Sequence, residues 1–173
     1  MRLLTLCSAL AQVSAGVVED DRVLAERAAE VARGQPGRLV WLVRELLTEG
    51  WWTGGERGVA VTVGPGGFTG IRAALALAHG LGAGAGVPVI GVTVGEALAA
   101  ERTGSAPFPV WTAVDSRRGQ VFLEIDGQVR SVALADLPPA PGAVEVLGDA
   151  ADSVAVRLRA AGVEASIGAR WPA

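Results

Sequence analysis

The residues best suited to chemistry lie in one glycine-rich stretch between a short apolar run and an Ala/Leu-rich run. This order predicts a strand, a glycine corner and a helix. Glycines are needed where the backbone turns to positive φ or where another group approaches closely. The N–H groups at the start of such a helix can bind an anion, and Thr69 can cap them. The corner consists of Gly64, Pro65, Gly66, Gly67, Phe68, Thr69 and Gly70.

The composition of the corner argues against an autonomous nucleotide site. The Rossmann fingerprint G-x-G-x-x-G fails because Thr69 stands where its third glycine would fall. A Walker A motif needs a lysine, and all 15 basic residues of this chain are arginines. Two roles stay open for the corner: packing a helix onto a sheet, and contacting a partner. We expect no bound cofactor.

The other candidates for catalysis stand isolated in the sequence. His79 is the single histidine and falls in the middle of the Ala-rich helix, which favours a packing or interface role. Cys7 is the single cysteine and lies in the first predicted strand, which favours an inert buried thiol. One His and one Cys exclude a His/Cys metal cluster and an intrachain disulfide. Asp115 falls in a predicted tight turn, together with Arg117, Arg118 and Gly119. An aspartate in such a turn commonly accepts hydrogen bonds from nearby backbone, so a structural role of Asp115 is favoured over a catalytic one.

Length and charge narrow the class of protein. A chain of 173 residues forms one domain or two small ones. Its net charge of −3 provides no electrostatic reason to bind nucleic acid alone. Half of the residues are hydrophobic, yet no run approaches the roughly 20 residues of a membrane span. We therefore expect a cytoplasmic protein with a partner interface. The apolar start resembles a short signal peptide, but a first buried strand fits it better.

The pattern of the chain predicts an α/β fold in two parts. A strand meander is followed by alternating helices and strands, with a linker at Thr103–Pro107. A smaller strand-rich unit follows, with a hairpin at Asp126-Gly127 and a helix capped by Asp149. The predicted domains are residues 1–102 and 103–173. The main predicted elements of the first domain are strands Leu3–Leu6, Gln12–Val18, Val23–Ala28 and Val59–Val63, and the helix Gly37–Glu49.

Several motifs together resemble the TsaB (YeaZ) family. The stretch Val61–Arg72 reads VTVGPGGFTGIR, and Ala76-x-x-x-Gly80-Leu81 follows it. The next strand reads VPVIGV, and Asp115-Ser-Arg-Arg-Gly-Gln-Val resembles the D-A-R-R-G-E-V-Y stretch of that family. The resemblance covers most of the chain.

The resemblance implies a two-lobe actin/Hsp70-like (ASKHA) fold with mixed sheets flanked by helices. It implies a non-catalytic role in making threonylcarbamoyladenosine in tRNA. In that system the partner TsaD is the catalytic subunit, TsaE joins as an ATPase, and a homodimer forms when TsaD is absent. The implied contact with tRNA runs only through the complex. Carried over to this chain, the partner contacts are Arg38, Trp41, Arg72, Ala76, His79, Gly80 and Ala83.

This chain departs from the family pattern at several points. Cys7-Ser8-Ala9 stands where members often carry D-T-S, and a thiol is a poor replacement for an oxygen ligand of Mg²⁺. Gly34-Gln35-Pro36 stands where many members carry H-S-E. The chain ends at Ala173, before further helical sequence of usual members, which predicts a reduced second lobe. The alternative is an ASKHA phosphotransferase or an acyl-transfer hydrolase. It would depend on Asp115, Glu96 or Asp149.

Overall fold

A mixed five-stranded sheet forms the centre of the first part of the chain. Its first three strands are antiparallel neighbours, and two parallel strands extend it on the far side of the first strand. The strand order is β3-β2-β1-β4-β5. The computed structural model describes residues 1–20, 22–30, 37–101 and 108–172. The strands are β1 (Arg2–Cys7), β2 (Gln12–Glu19), β3 (Arg22–Glu30), β4 (Arg57–Gly64) and β5 (Val89–Thr93).

Two helices, α1 (Gly37–Thr48) and α2 (Phe68–Ala85), cover the same face of this sheet. The strand register sets Leu4 beside Val17 and Val59 on one face. These side chains share a single core with the buried faces of both helices. Helix α1 packs over β2 and β3, whereas α2 packs over β1, β4 and β5. The two helices therefore turn their outer surfaces in the same direction, away from the sheet.

The second part of the chain has its own mixed five-stranded sheet, in the order β10-β9-β6-β7-β8. Trp111, Leu123 and Val146 form its core together with the buried face of the last helix. The elements are α3 (Val94–Ala100), β6 (Val110–Asp115), β7 (Val121–Ile125), β8 (Gln128–Val132), a 3-10 turn (Leu134–Asp136), β9 (Val144–Leu147), α4 (Ala151–Ala160) and β10 (Ala165–Ile167).

Packing divides the chain into two units, Met1–Thr93 and Val94–Pro172. The division precedes α3, whereas the sequence places it after this helix, at 102/103. The predicted linker Thr103–Pro107 and the predicted break at Gly34-Gln35-Pro36 lie outside the described residues. None of the helices in the described ranges has the length and apolarity that spanning a bilayer requires.

The predicted meander, the strand–corner–helix unit and the hairpin are confirmed. At the hairpin, Asp126 and Gly127 both have positive φ (50° and 73°), as a two-residue turn of this kind requires.

Two predicted helix caps are wrong. Helix α2 begins at Phe68, so Thr69 lies inside its first turn; the N-cap is Gly67, which has no side chain to donate or accept. Helix α4 has Ala150 as its N-cap, again without a side-chain bond. The Asp149 carboxylate is directed to the Asp115 turn instead, where its Oδ1 accepts a hydrogen bond from the Asp115 N–H at 2.8 Å.

Candidate functional site

The glycine corner is pressed against the segment that follows β1. The Gly67 N–H donates to the carbonyl oxygen of Ala9 at 2.7 Å. A Cβ atom placed on Gly66 would lie 2.2 Å from the same oxygen, and one on Gly70 would lie 2.0 Å from the Ser8 carbonyl oxygen. Real Cβ atoms essentially never come closer than 3.0 Å to another heavy atom. Two of the corner glycines are therefore required by close packing between backbone segments of this chain.

The backbone of the corner also demands glycine. Gly64 and Gly66 have φ values of 116° and 156°, and the Gly64–Pro65 peptide is cis. A side chain is strained at such positive φ values. The corner therefore fixes where α2 begins and how this helix meets the sheet.

The side chains around the end of β1 are small and neutral. Cys7, Ser8 and Ala9 are all buried, and Thr62 of β4 is 6% exposed. The Thr62 hydroxyl has no hydrogen-bond partner among the described residues. In the described part of the chain, no group of three or more His, Cys, Asp and Glu side chains is placed to hold a metal ion. The chemistry available at this edge is that of hydroxyl and thiol groups.

The sides of α1 and α2 that face away from the sheet are both exposed. We call this surface the outer face. All seven residues that the sequence nominates as partner contacts are exposed there. The face also includes Arg44 and Phe68. Its full set is Arg38, Trp41 and Arg44 of α1, and Phe68, Arg72, Ala76, His79, Gly80 and Ala83 of α2.

Two aromatic side chains on the outer face carry stacked guanidinium groups. Trp41 is 55% exposed and Phe68 is 70% exposed. The Arg44 guanidinium lies 4.9 Å from the Trp41 ring centre, and that of Arg72 lies 5.1 Å from the Phe68 ring centre. These distances are within the range of cation–π attraction. Each guanidinium therefore lies over an exposed ring, so the face combines apolar area with positive charge.

Small residues continue the exposed side of α2 from the Phe68–Arg72 pair toward the C-terminus of the helix. Ala76, Gly80 and Ala83 are exposed. A Cβ atom on Gly80 would meet nothing within 4 Å. Because the distance between packed helices depends on the side chains at their contact, a partner helix can approach α2 closely here.

The turn after β6 is held together by its own polar groups. The Arg117 N–H donates to Asp115 Oδ1 at 2.7 Å, and Arg117 has a positive φ of 60°. The Arg117 guanidinium also lies 3.5 Å from Oδ2 of Asp149, whose side chain is only 4% exposed. Arg118 and Gly119 are exposed at the tip. Both aspartates therefore stabilise the turn, which is the structural role the sequence favours for Asp115.

Sequence reasoning missed one carboxyl group, that of Glu124 on β7. A Cβ atom on Gly95 of α3 would lie 2.2 Å and 2.7 Å from its two oxygens, so α3 rests directly on this carboxylate. The Glu124 Oε2 atom is buried without a hydrogen-bond partner in the described chain. Burial, and after it the charge of Glu96, raises the pKa of Glu124. No local sequence pattern marks this contact, because Gly95 and Glu124 are far apart in the sequence.

Sequence reasoning also left Arg44 and Phe68 out of the partner surface. Arg44 lies three residues after Trp41, a spacing at which helical side chains meet, so the pair was recognisable. Phe68 was assigned to the corner because the predicted cap, Thr69, places the start of α2 at Gly70, two residues after its actual start.

The chain is similar to known proteins both in sequence and in fold. The family model for TsaD, tRNA N6-adenosine threonylcarbamoyltransferase, matches residues 31–163. The tRNA N6-adenosine threonylcarbamoyltransferase of Paracoccus denitrificans is 35% identical over 133 residues, or 66% of this chain. The chain spans 37% of the length of that transferase.

Two solved structures from Pseudomonas aeruginosa resemble the fold. YeaZ superposes with a TM-score of 0.68 at 25% identity, over 84% of this chain and 74% of YeaZ. An uncharacterized protein with similarity to peptidase YEAZ superposes with a TM-score of 0.73 at 23% identity, over 99% of this chain and 85% of that one. The expected α/β fold with two mixed sheets flanked by helices is confirmed.

Proposed function

Because this chain belongs to the TsaD family of tRNA N6-adenosine threonylcarbamoyltransferases, as a divergent member of the YeaZ (TsaB) type, we propose that it is a non-catalytic subunit of tRNA modification. In this proposal it binds a full-length transferase of the same family and supports its activity. An ATPase of the TsaE type joins the pair, and tRNA contacts the complex rather than this chain alone.

The outer face is the observation that carries the proposal. The inner sides of α1 and α2 are used in the core, whereas their outer sides expose two aromatic rings, three arginines and a run of small residues. Tryptophan and arginine are typical anchors of protein interfaces. Scattered exposed apolar residues need no explanation, but a surface that combines them with flanking cations is suited to a partner.

The glycine corner supports the same assignment. A phosphate cradle needs glycines whose backbone can approach a ligand. Here Gly66 and Gly70 face the backbone of Ala9 and Ser8, so that space is filled by this chain. The role we propose for the corner is to set the angle at which α2 presents the outer face.

Substitution of Gly80 tests the proposal, because its Cβ position is open and the fold can accept a side chain there. In calorimetric titrations with the full-length transferase of the same organism, Gly80→Arg abolishes binding by filling the path of the approaching helix. Gly142→Arg is the matched control, since a Cβ on Gly142 also meets nothing within 4 Å and this residue lies in the second unit. Binding by wild type and control but not by Gly80→Arg is the expected pattern. Equal affinity for all three proteins contradicts the assignment of the outer face.

A further inference from the structure

Positive charge is concentrated on the outer face, although the chain as a whole carries a net charge of −3. Helix α2 contributes Arg72 and contains no Asp or Glu. Helix α1 contributes Arg38 and Arg44. The sign of the face is therefore opposite to that of the whole molecule.

Two carboxylates lie nearest to these arginines in the sequence, that of Glu45 in α1 and that of Glu49 just after the helix, and both lie beside Arg27 of β3. Glu49 pairs with Arg27 of β3 at 2.8 Å and accepts a hydrogen bond from the Trp51 indole N–H at 2.7 Å. These two hydrogen bonds, that of Trp51 first, lower the pKa of Glu49, which keeps it ionised. Glu45 lies 4.0 Å from the same arginine. In the described part of the chain, no ion pair joins either glutamate to an arginine of the outer face.

We infer that the outer face selects a partner helix surface that carries carboxylates, and that the same charges disfavour pairing with a second copy of this chain. The inference rests on the proposed function, because it describes the transferase surface that would dock here. A two-fold symmetric dimer brings the same patch of both copies together, so two surfaces of the same net positive charge would meet. Like charges brought together in this way oppose association, whereas opposite charges favour it and fix the choice of partner.

A protein partner fits this surface better than RNA does. Arginines beside exposed aromatic rings also suit stacked bases. However, Ala76, Gly80 and Ala83 provide no donor or charge for a phosphate backbone, whereas they permit close contact with another helix. The homodimer expected from the family resemblance is consequently the weaker of the two associations for this chain.

The dependence on salt distinguishes the two associations. Salt screens exposed charges, with a Debye length of about 10 Å at 0.1 M and about 3 Å at 1 M. The complex with the transferase should weaken about tenfold between low and high salt, because a few exposed ion pairs are screened. Self-association of the chain, measured by sedimentation velocity, should be weak at low salt and strengthen at high salt. The expected result is that added salt weakens binding to the transferase and strengthens self-association.

Charge reversal provides the matched test. Arg72→Glu should weaken binding to the transferase about tenfold and should associate with the wild-type chain more tightly than wild type associates with itself. Arg130→Glu, at an exposed site on β8 of the second unit, should change neither association. Gly80→Gln separates the effect of side-chain size from that of charge, because it adds a large neutral side chain to the helix contact. It should weaken binding to the transferase without altering the salt dependence of the binding that remains.

The outcomes that overturn the inference are distinct from those that overturn the proposed function. A transferase complex that is insensitive to salt, or tight self-association at low salt, contradicts the charge selection alone. Binding of purified tRNA by this chain alone, lost on Arg72→Glu, assigns the face to RNA and overturns the inference. Absence of any complex with the transferase at either salt contradicts the proposed function, while the self-association measurement still reports on the charges.

Discussion

Alanine substitutions at two glycines of α2 should change stability in opposite directions. At Gly70 the added Cβ would lie 2.0 Å from the carbonyl oxygen of Ser8 and 3.1 Å from its carbonyl carbon. The oxygen would have to move by about 1 Å to reach the 3.0 Å limit, and it belongs to backbone that cannot rotate away. At Gly80 the added Cβ meets no atom within 4 Å. The chemical change is identical at both positions, so the surroundings decide whether the substitution raises or lowers the free energy of unfolding.

The magnitudes follow from two general effects. Alanine is favoured over glycine inside a helix by about 0.5–1 kcal/mol, so Gly80→Ala should raise the free energy of unfolding by about that amount. At Gly70 overpacking costs about 1–3 kcal/mol, and the upper part of this range applies because the obstacle is backbone. After the helical gain is subtracted, Gly70→Ala should lower the free energy of unfolding by about 2 kcal/mol.

Guanidinium unfolding followed by far-ultraviolet circular dichroism measures both changes. Transition midpoints should fall on opposite sides of the wild-type value, with unchanged slopes. A Gly70→Ala protein within about 0.5 kcal/mol of wild type would refute the packing of the corner against Ser8. A Gly80→Ala protein that is destabilised would show that the outer side of α2 is covered within this chain.

Three further predictions address the corner, the Asp115 turn and Glu124. Gly66→Ala should destabilise more than Gly70→Ala in the same unfolding assay, because positive φ adds backbone strain to the clash with the Ala9 carbonyl oxygen. Asp149→Asn should lower the thermal midpoint by a few degrees, since it removes the charge facing Arg117, and steady-state ATP turnover should be indistinguishable from the buffer blank before and after the change. Glu124→Gln should stabilise the chain at neutral pH. The folded-state pKa of Glu124 is raised, so its favourable contribution is complete below the unfolded pKa and is lost as pH rises through the folded pKa. Thermal midpoints of wild type and Glu124→Gln, measured from pH 4 upward, should therefore be closest at the acid end and separate as pH rises. A difference between the two proteins that is the same at every pH would contradict the raised pKa of Glu124.

Elements with strong local signals could be predicted from the sequence. Alternating or continuous apolar runs mark the strands, and the dipeptide Asp126-Gly127 marks the hairpin, where both residues have positive φ. The glycine corner could be located because a strand pattern changes there to a helical one. The glycine spacing excludes the Rossmann fingerprint, and the absence of lysine excludes a Walker A motif.

Features that depend on distant contacts could not be predicted. Asp149 and Thr69 have side chains typical of helix caps. However, Asp149 is engaged by the Asp115 turn on another strand, and α2 begins one residue before Thr69. The tight packing of Gly70 on Ser8 joins segments that are far apart in sequence. The same is true of Gly95 and Glu124, so their contact left no local pattern.

Reconstituted tRNA modification tests the central claim, that this chain supports a transferase through the outer face. The full-length transferase of the same organism is assayed for threonylcarbamoyladenosine in tRNA, alone and with wild type, Gly80→Arg or Gly142→Arg. The expected result is strong stimulation by wild type and by Gly142→Arg and none by Gly80→Arg. Equal stimulation by all three chains, or product formation that is unchanged when the chain is left out, would contradict the claim.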